Sequence, residues 1–167
     1  MLIAENINNV NYNNIIITHP IKNNIQTNNN FYKILYSNDY ATLNGIYCYF
    51  KLENVTINKT QQSIFFSNLE NQNIINKLIE IESKLLNQHA KNKEKSFKIL
   101  EILNNNYIKF SFIENLDYNK NFYYNKQNNI NNLQTIKKID IELIIKISGI
   151  WESNNVNGLT FKFLSIS

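Results

Sequence analysis

Two hydrophobic periods divide the chain. From Gly45 to Leu52 the residues alternate, with Ile46, Cys48, Phe50 and Leu52 on one side of an extended segment and Gly45, Tyr47, Tyr49 and Lys51 on the other. That pattern predicts a strand with one buried face whose other face turns two Tyr and a Lys toward solvent. Tyr107–Ile113 repeats it: Ile108, Phe110 and Phe112 oppose Tyr107, Lys109 and Ser111. The longest alternation sets Ile139, Ile141, Leu143, Ile145 and Ile147 against Lys138, Asp140, Glu142, Ile144 and Lys146, and it continues through Gly149 to Trp151. Uninterrupted alternation puts Trp151 with the inward residues, as core or as the base of a groove, unless a bulge at Gly149 turns it outward. Ser153–Gly158 reads as a turn and Leu159–Ile166 as the returning strand, which makes a hairpin. Phe31–Tyr36, Asn54–Asn58 and Ser63–Ser67 are shorter strand candidates.

Residues 69–89 change period. At about 100° per residue, Ile74, Ile75, Leu78, Ile79, Ile81, Leu85 and Leu86 share one arc, which predicts an amphipathic helix. Glu82 falls inside that arc and reads as a carboxylate held by hydrogen bonds or a Lys, since no second acid stands ready to divide acid and base work. A short helix over Ser96–Leu103 follows the lysine-rich segment Ala90–Lys98. Residues 1–30 read as a flexible, Asn-rich arm with one strand at Asn14–Thr18, and 31–167 as a single domain. Within that domain, 114–135 forms a long polar loop containing Lys120-Asn121-Phe122-Tyr123-Tyr124-Asn125-Lys126. A loop of this length in a compact domain is functional or disordered, and its aromatics argue against plain disorder. The order strand, strand, strand, helix, strand, long loop, strand predicts a mainly β fold: an OB-fold-like five-stranded Greek-key barrel with one or two helices.

Composition narrows the chemistry. Asn (35), Ile (28) and Lys (17) fill 80 of 167 positions, a skew that follows A/T-rich codons. Apolar content of 43%, with 13% aromatic, argues against disorder throughout. All 17 basic residues are Lys, set against 13 acids for a net charge of +4, which is compatible with a polyanionic partner. Without Arg, bidentate reading of guanine edges loses its usual instrument, while Lys still serves as a point charge toward phosphate. Cys48 is the single Cys, and with His19 and His89 it gives neither a disulfide framework nor metal-ligand spacing. The start of the chain lacks a basic and apolar leader, and no run approaches 18 apolar residues, so an intracellular, non-membrane protein of cytoplasm or nucleus is expected.

No phosphate-cradling glycine loop, nucleophile elbow or paired-His arrangement is present, so the reading is non-enzymatic, with no cofactor and no metal. What remains is a binding surface. Single-stranded nucleic acid asks for flat rings on which bases stack and for positive charge along the backbone. Tyr47, Tyr49 and Lys51 offer both on one strand, Tyr107 and Lys109 on another, and Lys120, Phe122, Tyr123, Tyr124 and Lys126 in the loop; Lys162 adds charge on the last strand. Any one Tyr there is ordinary, because Tyr favours strands; the weight lies in the repeated pairing with Lys at non-core positions.

Ile147-Ser148-Gly149-Ile150-Trp151-Glu152, followed by Gly158-Leu159-Thr160-Phe161-Lys162-Phe163, resembles the closing segment of the single-stranded DNA-binding proteins of large cytoplasmic DNA viruses. Those are similar to the replication protein of short-tailed phages. The likeness extends more weakly to Phe31–Phe50 and Glu80–Leu86 and covers about a third of the chain. It implies the same barrel and non-catalytic, sequence-independent coating of single-stranded DNA in viral replication and recombination, with RNA and a homo-oligomer left open. By residue it implicates Gly149, Trp151, Gly158 and Lys162 as shared fold features. The phage-type acidic tail has no counterpart in Phe163-Leu164-Ser165-Ile166-Ser167. The competing expectation is a structural or protein-interaction β-sandwich, such as a virion component, with Tyr-rich faces turned to other proteins.

Overall fold

The computed structural model describes residues 4–22, 29–39, 41–58, 61–89, 92–112 and 138–165. In chain order the elements are β1 (Glu5–Asn6), two 3-10 turns (Ile7–Asn9 and Tyr12–Asn14), β2 (Ile15–Ile17), β3 (Ile21–Lys22), β4 (Asn30–Ser37), β5 (Thr42–Asn44), β6 (Ile46–Asn58) and β7 (Ser63–Phe65). These are followed by α1 (Gln72–His89), β8 (Glu94–Ser96), α2 (Lys98–Asn104), β9 (Tyr107–Phe112), β10 (Ile139–Glu152) and β11 (Val156–Ser165). Five of the strands close on themselves: β6 pairs with β7, β7 with β9, β9 with β11, β11 with β10, and β10 with β6. Of these five pairings only β9–β11 is parallel. Numbered along the chain, the ring runs first, second, third, fifth, fourth, which is the closed Greek-key arrangement of an OB-fold-like barrel. Both helices lie between its second and third strands.

Alternation builds this barrel because each strand has one face toward the interior. Ile46, Cys48, Phe50 and Leu52 of β6, Ile108 and Phe110 of β9, and Ile141, Leu143, Ile145 and Ile147 of β10 are all buried in one core. The expected pieces Gly45–Leu52 and Asn54–Asn58 are one strand bent by a bulge. Between the Leu52–Ile141 and Val55–Ile139 pairs β6 spends one residue more than β10, and Asn54 there has φ 53°. The extra residue moves the inward phase from Leu52 to Val55 and turns β6 from β10 onto β7.

A second bulge corrects the simplest reading of Trp151. The β10–β11 register runs Ile147–Phe161 and then Gly149–Thr160, so Ser148 is the unpaired residue. Past it the phase is reversed: Ile150 is fully buried in the core and Trp151 faces outward. Gly158, expected in the turn, lies in β11 opposite Trp151, and the turn is the tighter Ser153–Asn155, closed by Ser153 N–H donating to the Val156 carbonyl.

α1 turns Ile75, Leu78, Ile81, Leu85 and Leu86 into the barrel core, joined by Ile99 and Leu103 of α2. Glu82 caps α2: its carboxylate accepts the Ile99 N–H at 2.9 Å and the Leu100 N–H at 3.0 Å. Residues 4–22, from the stretch expected as an arm, pair β1 with β6 and β2 with β4 and send Ile7 fully into the core. Among the described residues no helix is long and apolar enough to cross a membrane.

Candidate nucleic-acid interface

The outward faces of three lanes form a strip, and β10 is its centre. On one side β10 is flanked by β6 as far as the Ile147–Ile46 pair and then, past the bulge, by β4 from the Gly149–Lys33 pair onward. On the other side lies β11 throughout. Cross-strand register then sets the outward residues in rows: Tyr49–Ile144–Leu164, Tyr47–Lys146–Lys162, Lys33–Gly149–Thr160 and Phe31–Trp151–Gly158. Neighbouring lanes are about 4.8 Å apart and same-face rows about 7 Å apart.

Tyr49 is 39% exposed, while Ile144 and Leu164 in its row are buried outside the main core. In the next row the Lys146 ammonium stands over the Tyr47 ring, 5.1 Å from its centroid, a cation–π pair. Lys162 and Lys33 are exposed, and neither they nor Lys146 makes an ion pair with a described residue. Among the described residues, no carboxylate neutralises these ammonium groups.

Lys51 differs. Its ammonium lies 2.7 Å from Asp140, which also accepts the Asn54 N–H at 3.2 Å. The hydrogen bond to Asp140 raises the Lys51 pKa, and the same bond lowers that of Asp140. The pair is close to neutral, and exposed Glu142 stands opposite Lys51 on β10.

Tyr107 is placed elsewhere. It packs against Phe65 of β7 with centroids 4.8 Å apart and planes at 48°. In a closed five-stranded barrel the outward direction turns by about a fifth of a circle per strand. β9 is separated from β6 by β7 one way and by β10 and β11 the other, so Tyr107 and Tyr47 look to different sides. Lys109, on the same face of β9 as Tyr107, stands one residue before the Phe110–Phe163 pair and hence beside Lys162. The structure thus gathers Tyr47, Tyr49 and Lys162, sets Lys109 at their margin, and separates Tyr107. Lys120, Phe122, Tyr123, Tyr124 and Lys126 lie outside the described residues. Sequence reasoning missed Lys146, Lys33 and Phe31, and placed Trp151 outward only on condition of a bulge at Gly149. Lys146 was legible as an outward position of β10; the other three join the strip through the Ser148 bulge and the pairing of β4.

A buried polar knot holds that far end in place. Glu152, inward after the bulge and 8% exposed, takes Lys93 Nζ at 3.0 Å and accepts hydrogen bonds from Tyr32 Oη and Asn30 Nδ2, each at 3.3 Å. Burial alone would raise its pKa, but the hydrogen bonds from Lys93 and Asn30 and the charge of Lys93 outweigh that and the net shift is downward. His89, at the end of α1, packs its ring 4.0 Å from that of Tyr32, and burial lowers its pKa. The knot ties β4 to β10 from the inside, which fixes Phe31 and Lys33 on the outside.

Among the described residues no group of three or more His, Cys, Asp or Glu side chains could hold a metal ion. Comparison of the chain with protein-family models, with curated proteins and with solved structures gives no match.

Proposed function

We propose that this protein binds single-stranded nucleic acid, DNA foremost, without reading its sequence, and coats exposed strands during DNA replication and recombination. The observation that carries the reading is the Tyr47–Lys146–Lys162 row, with exposed Tyr49 beside it, on the outer wall of an OB-fold-like barrel. Every base has a flat face, so a Tyr ring accepts any of the four, and the lysines next to it meet the phosphates that follow. A chain with no Arg suits backbone tracking better than base-edge recognition.

The test is anisotropy of a labelled oligo-dT titrated with protein over a range of salt. Binding tightens as salt falls, and Lys146→Gln with Lys162→Gln flattens the slope of log K against log salt by about 0.7 for each phosphate contact removed. Absence of binding at low salt, or a slope untouched by both substitutions, rejects the proposal. One observation favours a second reading, a protein-assembly surface: Leu69 is 90% and Phe65 48% exposed. Concentration-dependent self-association without any oligo-dT binding would support that reading instead.

A further inference from the structure

The strip does not end at the lysines. Past the Ser148 bulge, Trp151 and Phe31 are cross-strand neighbours on its outward face, and each seats its ring where a neighbouring strand has no side chain. A Cβ on Gly158 would stand 2.6 Å from Trp151 Cζ2, and one on Gly149 would stand 2.4 Å from Phe31 Cζ. The two glycines let the rings lie down on the sheet rather than stand off it. Lys33 sits in the row between them and the Tyr47–Lys146–Lys162 row, without an ion pair to a described residue. From the Tyr49 row to the Trp151 row is six paired steps along β10, roughly 20 Å at about 3.3 Å each. The order along this length is ring, charge, ring.

We infer that Trp151, with Phe31 beside it, is a second stacking station and that the single strand lies lengthwise along β10, its bases on Tyr47 and Tyr49 at one end and on Trp151 at the other, its phosphates over Lys146, Lys162 and Lys33 between. The inference rests on the function proposed above and adds the path and the far contact. Rings laid over strand glycines also serve packing alone, as a way of covering exposed backbone. A stacking role adds an optical consequence that packing does not.

Trp151 is the only Trp in the chain, so its emission reports on this one place. Wild-type protein is titrated with an oligo-dT of about 15 nucleotides, long enough for one OB-type site, while anisotropy of the same labelled oligomer gives the affinity independently. The expected result is quenching of Trp emission that saturates with the anisotropy curve and is reversed by salt. Trp151→Leu weakens binding by roughly 5- to 150-fold, and Trp151→Phe, which keeps a flat ring, retains most of it. Oligo-dT that binds by anisotropy while Trp emission stays unchanged in intensity and position overturns the station and leaves the Tyr47 end standing. Failure of oligo-dT to bind at all is failure of the parent reading. Because the quenching is read on unaltered protein, a variant that does not fold leaves the test intact.

Discussion

Replacing Glu82 by Gln isolates what one buried carboxylate does for this fold. Glu82 is fully buried and accepts two backbone N–H donors from the first turn of α2, at 2.9 and 3.0 Å, one on each oxygen. Gln is nearly the same shape but has a single oxygen, so one of the two donors must face an NH2 group. A buried donor left unsatisfied costs about 1–3 kcal/mol. For a domain of this size each kcal/mol moves the melting temperature by roughly 2–4 °C, so Glu82→Gln melts about 2–12 °C below wild type. Burial raises the Glu82 pKa against the opposing effect of the backbone hydrogen bonds. An acid whose pKa is higher folded than unfolded binds more protons in the folded state, so wild type loses stability as pH rises from the ordinary Glu range through the raised value. Gln does not titrate; the deficit of the variant therefore narrows over that window. Thermal melts followed by circular dichroism from about pH 4 to 8 measure both effects. Glu101→Gln, on an exposed side chain of the same helix, is the control and changes stability by less than about 0.5 kcal/mol. A Glu82→Gln protein that melts with wild type at every pH refutes the cap.

Two further outcomes follow from the far end of β10. Gly149→Ala places a methyl 2.4 Å from the Tyr32 carbonyl oxygen as well as from the Phe31 ring; the backbone atom cannot rotate away, so the variant loses about 1–3 kcal/mol, read as a lowered urea midpoint. A midpoint equal to that of wild type would mean that β4 does not lie against β10 as described. His89, with a pKa below its ordinary value, takes up its proton more readily unfolded than folded, so wild type loses stability as pH falls below about 6.5. His89→Gln removes that part of the slope, and urea melts between about pH 5 and 8 that run parallel for the two proteins contradict the assignment.

The sequence makes strands legible wherever one face is wholly apolar, as in β6, β9 and β10, and makes α1 legible because its apolar arc is wide. What it conceals is phase. The bulges at Asn54 and Ser148 each add one residue for reasons of partner and curvature that reside in other strands, and each reverses the faces beyond it. Trp151 is outward for that reason, against the plain alternation. Ile7 was hidden differently, as a single apolar side chain among Asn residues that reaches the core only because β1 pairs with a strand more than 40 residues away. Alternation also says which residues face out but not in which direction round a barrel, so Tyr107 and Tyr47 look alike in sequence and point apart in space. For Lys51 the sequence shows the charge but not Asp140, which the bulged pairing of β6 and β10 brings beside it.

The most direct measurement is the affinity of the Tyr47→Ala, Tyr49→Ala double variant for oligo-dT, taken on protein whose melting matches wild type. Each stacked ring is worth about 1–3 kcal/mol by such a substitution, so a loss of about 2–6 kcal/mol is expected when both are removed. A folded double variant that binds oligo-dT as tightly as wild type would take the binding face away from β6 and contradict the account.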